Sequence, residues 1–225
     1  SSDVCSSDLC GLSFRDSLAN GTLPVCPKCF PALIGTSKGV QEIYSFVNSI
    51  QPDALNGCRN IIAPRELDVL VPSKNIAFEY DGLYWHSFDR AETGEERKYH
   101  LQKTEDAATK GVRLVHIFEN EWKNKREIVE SRIANLLGQS KKIGARKCQV
   151  VELDARTAID FMEKNHIQGS CPSTVKLGLK YEDEVIAVMT FGRPRYNKDV
   201  EYELLRYSNA LGCSVVGGAS KLFKY

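Results

Sequence analysis

Between Glu66 and Ser87 the chain concentrates groups able to hold a cation and move a proton. The stretch reads Glu66-Leu67-Asp68, then Phe78-Glu79-Tyr80-Asp81, then Tyr84-Trp85-His86-Ser87. Carboxylates set among apolar residues are costly in a fold unless they bind a cation or act on a substrate. Strand side chains alternate between faces, so Glu79 and Asp81 share one face of a strand predicted over 76–81, and a hairpin can bring Asp68 opposite Glu79. Acidic oxygens gathered this way suit Mg2+ (or Mn2+), which polarises a phosphate and makes a bound water a better nucleophile. Phosphodiester hydrolysis is the expected chemistry. A solvent-facing hairpin could carry the same acids, but the flanks Ile76-Ala77-Phe78 and Leu83-Tyr84-Trp85 are too apolar to favour it.

Other polar residues stand where they can assist. His86 follows a bulky apolar trio; a histidine there can move a proton near neutral pH, or sit at the core edge and donate to a carbonyl. Glu42, in the preceding helix, can orient a water or complete the metal shell. His100 and Lys103 stand one turn apart on a later helix, where either can meet a phosphate or steady a leaving oxygen. Asp106 lies one turn further on. Glu119 and Glu121 close an apolar strand, at an end where sheets often present functional acids. A helix cap or surface pair explains those two as well. His116 alternates with Leu114 and Phe118 inside that strand and reads as structural. Among eight cysteines, Cys26-Pro27-Lys28-Cys29 has zinc-knuckle spacing, and Cys10 is a candidate third ligand for Zn2+; a redox pair is the rival reading.

These groups need elements to position them. Residues 1–9 resemble translated sequencing-adapter read-through, which would make Cys5 foreign to the natural protein, and the chain reads as a fragment. Residues 10–36 form a partial zinc-ribbon module. A helix opens at Ser37, with Val40, Ile43, Tyr44, Val47 and Ile50 on one face. Residues 51–60 are turn-rich, and Ile61-Ile62 is a candidate short strand. Strands follow over 66–71 and 76–81, joined by Pro72-Ser73-Lys74-Asn75. Then come a helix over 99–111, an apolar strand over 112–118 and one amphipathic helix over 121–137. The fold class is α/β: residues 37–140 make a mixed sheet flanked by helices. A basic linker, 141–147, leads to an α+β domain over 148–225, with a helix at 155–164, a hairpin of 175–181 and 185–191, and a strand at 201–207.

Charge and composition narrow the partners. The net charge is +1, but Lys123, Lys125, Arg126, Arg132, Lys141, Lys142, Arg146 and Lys147 cluster. Such a patch can track DNA phosphates, or serve as a solvated helix face and linker. Arg193, Arg195, Arg206 and Lys221 are further phosphate-contact candidates. Gly217-Gly218-Ala219-Ser220 is a turn that either cradles an anion with Ser220 and Lys221 or is ordinary. No run of about eighteen apolar residues is present, so no membrane partner is expected. No signal peptide is visible, and the compartment reads as reducing and cytoplasmic.

Several motifs occur together in order: Glu66-Leu67-Asp68, Glu79-Tyr80-Asp81-Gly82-Leu83-Tyr84-Trp85-His86-Ser87, Tyr99-His100 with Lys103, and Ile117-Phe118-Glu119 with Glu121-Trp122. They resemble phage and mobile-element nucleases, homing endonucleases among them, of the very-short-patch-repair-like branch of the PD-(D/E)XK superfamily. The match runs from about Ser37 to Leu137. It implies a restriction-endonuclease-like core and a magnesium-dependent nickase or endonuclease acting on double-stranded DNA. It also implies that Asp68 is the family's metal-binding aspartate, Glu79 its second acid and the Tyr80 carbonyl a further ligand. His86 would match the histidine after the aromatic pair, and Glu42 the helix glutamate. Asp81 is the departure, because it replaces a positively charged or histidine position. Either His86, His100 or Lys103 compensates, or Asp81 helps hold a second ion. The zinc module resembles those found beside such nucleases. The tail from Cys148 resembles a domain that often follows these cores, and is distantly similar to half of an acyltransferase fold. Two rival functions follow: a non-catalytic DNA-binding protein with a degenerate nuclease core, or acyltransferase activity in the tail.

Overall fold

The computed structural model describes residues 3–6, 11–16, 37–82, 99–195 and 199–225. Their contacts divide the chain into two units, Ser1–Glu119 and Asn120–Tyr225. Both are mixed α/β. Cys10, Cys26, Cys29 and His86 lie outside the described residues. Among the described residues no helix is long and apolar enough to cross a membrane.

The first unit begins with a ribbon of β1 (Asp3–Ser6) and β2 (Ser13–Asp16), paired antiparallel. β1 falls inside the segment read as adapter-derived. Helix α1 (Lys38–Ile50) starts at Ser37, whose Oγ accepts from Val40 N–H at 3.3 Å, and it buries Val40, Ile43 and Val47. The main sheet contains β3 (Leu55–Cys58), β4 (Leu67–Val71), β5 (Ile76–Asp81) and β6 (Arg113–Phe118), in that spatial order. β3–β4 and β4–β5 are antiparallel, and β5–β6 is parallel. The parallel step needs a crossover, and α2 (Tyr99–Thr109) lies within it. Asn75 turns the β4–β5 hairpin at φ +51°, a left-handed conformation that asparagine tolerates.

One short strand is displaced from its predicted place. It forms at 55–58, in the turn-rich segment, and residues 61–62 form a bend. Leu55-Asn56-Gly57-Cys58 has no apolar alternation to announce it; hydrogen bonding along β4 makes it a strand.

The two faces of the sheet differ. Register pairs Val69 with Phe78 and Val71 with Ile76, so these residues share a face with Tyr80. Helix α1 contacts β4 and β5 on that face, and the Tyr80 ring rests on Gly39. The opposite face carries Leu70, Ala77 and Leu114, which form an apolar cluster with Ala107 of α2 and Val112.

From Asn120 on, the second unit holds the rest of α3 (Glu119–Asn124), then α4 (Arg126–Leu136), β7 (Lys141–Gly144), β8 (Gln149–Glu152), α5 (Ala155–Asn165), β9 (Val175–Tyr181), β10 (Glu184–Gly192), β11 (Glu203–Asn209), β12 (Cys213–Val216) and α6 (Gly218–Phe223). Strands β8 to β11 form an antiparallel sheet in the order β11-β10-β9-β8. Glu182 and Asp183 turn β9 into β10 with φ +48° and +68°, as a two-residue type I′ hairpin requires. Ala158 and Met162 of α5 cover one face at Val188, while Leu222 of α6 joins Leu177, Leu179 and Met189 on the other.

Two predictions for this region need correction. The single helix expected over 121–137 is two helices, because Lys125 leaves helical geometry (φ −133°, ψ 37°) and pairs with Glu163 at 3.6 Å. The stretch 141–147 is no linker: β7 pairs in parallel with β12, Ile143 is buried, and Ala145–Lys147 makes a 3-10 turn. Its basic residues are exposed, on the strand and on the turn, while Ile143 and Ala145 are buried.

The contact of Gly39 with Tyr80 gives a test of the α1 face. Alanine is favoured over glycine inside helices by about 1 kcal/mol, yet a Cβ at residue 39 would run into the Tyr80 ring. Gly39→Ala is expected to lower stability by about 1–3 kcal/mol, read as a reduced urea midpoint. A raised midpoint would show that the ring gives way freely.

Candidate active site

Polar residues replace apolar ones towards one end of the face covered by α2. Along β5 the inward positions run Ala77, Glu79, Asp81, and along β6 they run Leu114, His116. The helix follows the same gradient in reverse: Ala107 packs in the apolar cluster, and Thr104, Lys103 and His100 precede it on the same helical stripe. The polar ends of strand and helix therefore meet.

Across β4–β5, the register that pairs Val69 with Phe78 brings Asp68 level with Glu79. On the β3 side, pairs Asn56–Val69 and Cys58–Leu67 bracket Gly57 opposite Asp68, so no side chain crowds that carboxylate from β3. Asp68 Oδ2 accepts from the Tyr80 N–H at 2.9 Å. Glu79 Oε1 accepts from Lys103 Nζ, and both side chains are buried, at 7% and 3% exposure. Glu79 Oε2 has no hydrogen-bond partner among the described residues.

Beyond Glu79, Asp81 is 1% exposed and faces two histidines. Its Oδ2 lies 2.9 Å from His116 Nδ1, and its Oδ1 lies 3.4 Å from His100 Nδ1. The imidazole rings meet edge to face with centroids 5.4 Å apart. Thr104 Oγ1 sits 2.9 Å from His116 Nε2 and donates to the His100 carbonyl at 2.8 Å.

Burial shapes the electrostatics. Desolvation pushes the Glu79 carboxyl up to about 7, the neighbouring Asp68 charge adds to this, and Lys103 opposes it. Desolvation also raises Asp68, against the Tyr80 hydrogen bond and Lys103. The Asp81 carboxylate, as hydrogen-bond acceptor beside the ring, raises His116, against burial.

Asp68, Glu79, Asp81, His100 and Lys103 are thus gathered on one face. Glu42 belongs to α1, on the other side of the sheet, and its ion pair is with Lys38 at 3.9 Å. Asp106 is engaged by Arg65. His116, read from sequence as structural, stands in the cluster, and Thr104 was not singled out at all. The strand–helix–strand order at 76–118 was the available signal: a parallel β5–β6 pair sets His116 beside Glu79.

The candidate phosphate contacts all lie in the second unit and differ in their engagements. Arg126 pairs with Glu130 at 2.8 Å and stacks over Trp122, and Arg132 pairs with Glu121 at 3.9 Å. Lys123 is exposed on α3, and Arg146 and Lys147 are exposed on the turn after β7. Lys221 donates to the carbonyls of Ala145 and Cys148, so it fastens α6 to that turn. Arg193, Arg195 and Arg206 line an open groove of about 480 Å³ with Cys171, Ser173 and Thr174, although Arg195 also pairs with Glu203 at 3.1 Å.

The buried glutamate predicts a pH dependence for metal-free protein. Its folded pKa lies above the ordinary 4.5, so its contribution is fully present below 4.5 and is lost as pH rises through about 7. Stability in EDTA is expected to fall across that window by roughly 3 kcal/mol, and Glu79→Gln should flatten the profile; an unchanged slope in that variant would assign the loss elsewhere. No family model, curated protein or solved structure matches the chain.

Proposed function

We propose that this chain carries a metal-dependent DNA endonuclease or nickase, with Asp68, Glu79 and the Tyr80 carbonyl as the Mg2+ ligands. One observation carries the reading: Asp68 and Glu79 stand level on adjacent strands of one buried face, with Lys103 paired to Glu79. Desolvation raises both Asp68 and Glu79, against Lys103, and a divalent cation held between the two carboxylates would offset that cost. The donors fit a hard ion. Glu79 keeps Oε2 unengaged among the described residues, and Asp68 spends Oδ2 on Tyr80 N–H.

Bound Mg2+ supplies Lewis-acid polarisation of the phosphate and a more acidic water. The chain's own groups do the rest. The Tyr80 N–H fixes the orientation of the Asp68 carboxylate. Lys103 delivers from a helix the positive charge that Asp81 cannot deliver from the strand, and through its pair with Glu79 it would offset negative charge gathering at the site. DNA is favoured as substrate by the motif order and by the exposed basic residues Lys123, Arg146, Lys147 and Arg193.

Incubation with a randomised duplex library in Mg2+, with EDTA as control, tests the reading and shows whether one strand or both are cut. Asp68→Asn is expected to lower cleavage at least about a hundredfold, which corresponds to about 3 kcal/mol, while leaving duplex binding within a fewfold of the parent. Cleavage at the parental rate by Asp68→Asn would overturn the mechanism.

A further inference from the structure

We infer that Asp81, His100 and His116 form a binding site for a borderline transition-metal dication of the Zn2+ or Co2+ type, separate from the Asp68–Glu79 pair. The inference does not depend on DNA hydrolysis.

Geometry comes first. Oδ or ring-nitrogen atoms of the three residues all lie within 4.8 Å of one another. Ligands about 2.0–2.1 Å from a tetrahedral ion stand about 3.3 Å apart. The Asp81 Oδ1–His100 Nδ1 separation is 3.4 Å, and the Asp81 Oδ2–His116 Nδ1 separation is 2.9 Å. Asp81 is 1% exposed, and its Oδ1 has no hydrogen-bond partner among the described residues. It is a buried carboxylate aimed at two imidazoles.

The hydrogen-bond network gives a second argument. Thr104 has one hydroxyl proton, and it is directed at the His100 carbonyl. Its Oγ1 must therefore accept from His116 Nε2–H, 2.9 Å away. In neutral His116 this tautomer leaves a lone pair on Nδ1, and that lone pair faces the Asp81 carboxylate. Two acceptors at 2.9 Å need a cation between or beside them. A proton can serve, which makes the pair imidazolium and carboxylate; a metal ion serves both atoms and His100 as well. The Thr104 contact is the outer-shell hydrogen bond that metal-ligating histidines characteristically make.

Ligand chemistry selects the ion. Two imidazoles and one carboxylate suit borderline dications, whereas Mg2+ prefers oxygen and several retained waters. Three protein ligands leave a position open for water or a substrate oxygen, as in catalytic rather than structural zinc sites.

The test is titration of the full metal-stripped chain with Co2+ alone, read by visible ligand-field absorption. Cysteine ligation would add thiolate charge transfer, which separates any binding at the cysteines from binding here. One equivalent should bind without thiolate absorption, and Zn2+ should displace it while excess Mg2+ does not. Thr104→Val should weaken binding about tenfold; His100→Ala, His116→Ala and Asp81→Asn should each weaken it more. Asp68→Asn leaves all three ligands in place and should weaken Co2+ binding far less than His100→Ala does even if cleavage is lost, so failure of the nuclease reading and failure of this one are distinguishable. Circular dichroism reports folding; should Asp81→Asn unfold, His100→Ala decides, since it alters a partly exposed side chain at the start of α2. Parental Co2+ affinity in His100→Ala, or no thiolate-free absorption at millimolar Co2+, would overturn the site and leave His116–Asp81 as a plain ion pair.

Discussion

The Lys103–Glu79 pair is the interaction on which the first unit's polar face depends. Three acids enter that face, and among the described residues the buried ammonium of Lys103 compensates them. Removing one partner of such a pair leaves an uncompensated charge in a low dielectric, which is far worse than never having built the pair. Its placement is set at a distance. Ala107, one turn beyond Lys103, packs with Leu70, Ala77, Val112 and Leu114, and that apolar contact fixes how far α2 slides along the sheet. Shifting the helix by a turn would put Lys103 over Ala77 or beyond the strand end. The apolar half of the layer is thus the ruler for the charged half.

Much of this was legible before the fold. The strand 76–81 announces itself by alternation, and Pro72-Ser73-Lys74-Asn75 announces the hairpin that sets Asp68 level with Glu79. Lys103 and His100 were visible as a helical pair. His116 was not, because its role depends on which strand neighbours β6 and in which direction, a long-range fact with no local mark. β3 was hidden for a related reason. Its Leu-Asn-Gly-Cys composition favours a turn, and the pairing partner overrides that preference. At Lys125 the helix break carries no glycine or proline, so propensity alone predicts continuity.

In the second unit, charge that looked equivalent in sequence proves unequal in use. Lys221 donates to two backbone carbonyls, while Arg146 and Lys147 stand exposed on the turn that Lys221 fastens. A lysine near a glycine turn can serve the fold rather than an anion, and sequence spacing does not tell the two apart.

The parallel pairing of β7 with β12 carries a cost during synthesis. Lys141 meets Cys213, so the opening strand of this unit stays without its neighbour until nearly the whole unit has left the ribosome. The β9–β10 hairpin can close early, since its two strands are joined by a two-residue turn. Long-range pairings are the slow ones, and an unpaired strand is where nascent chains stick to one another. The lysines at 141 and 142 give that waiting segment like charges, which repel a second nascent copy until the late strand arrives.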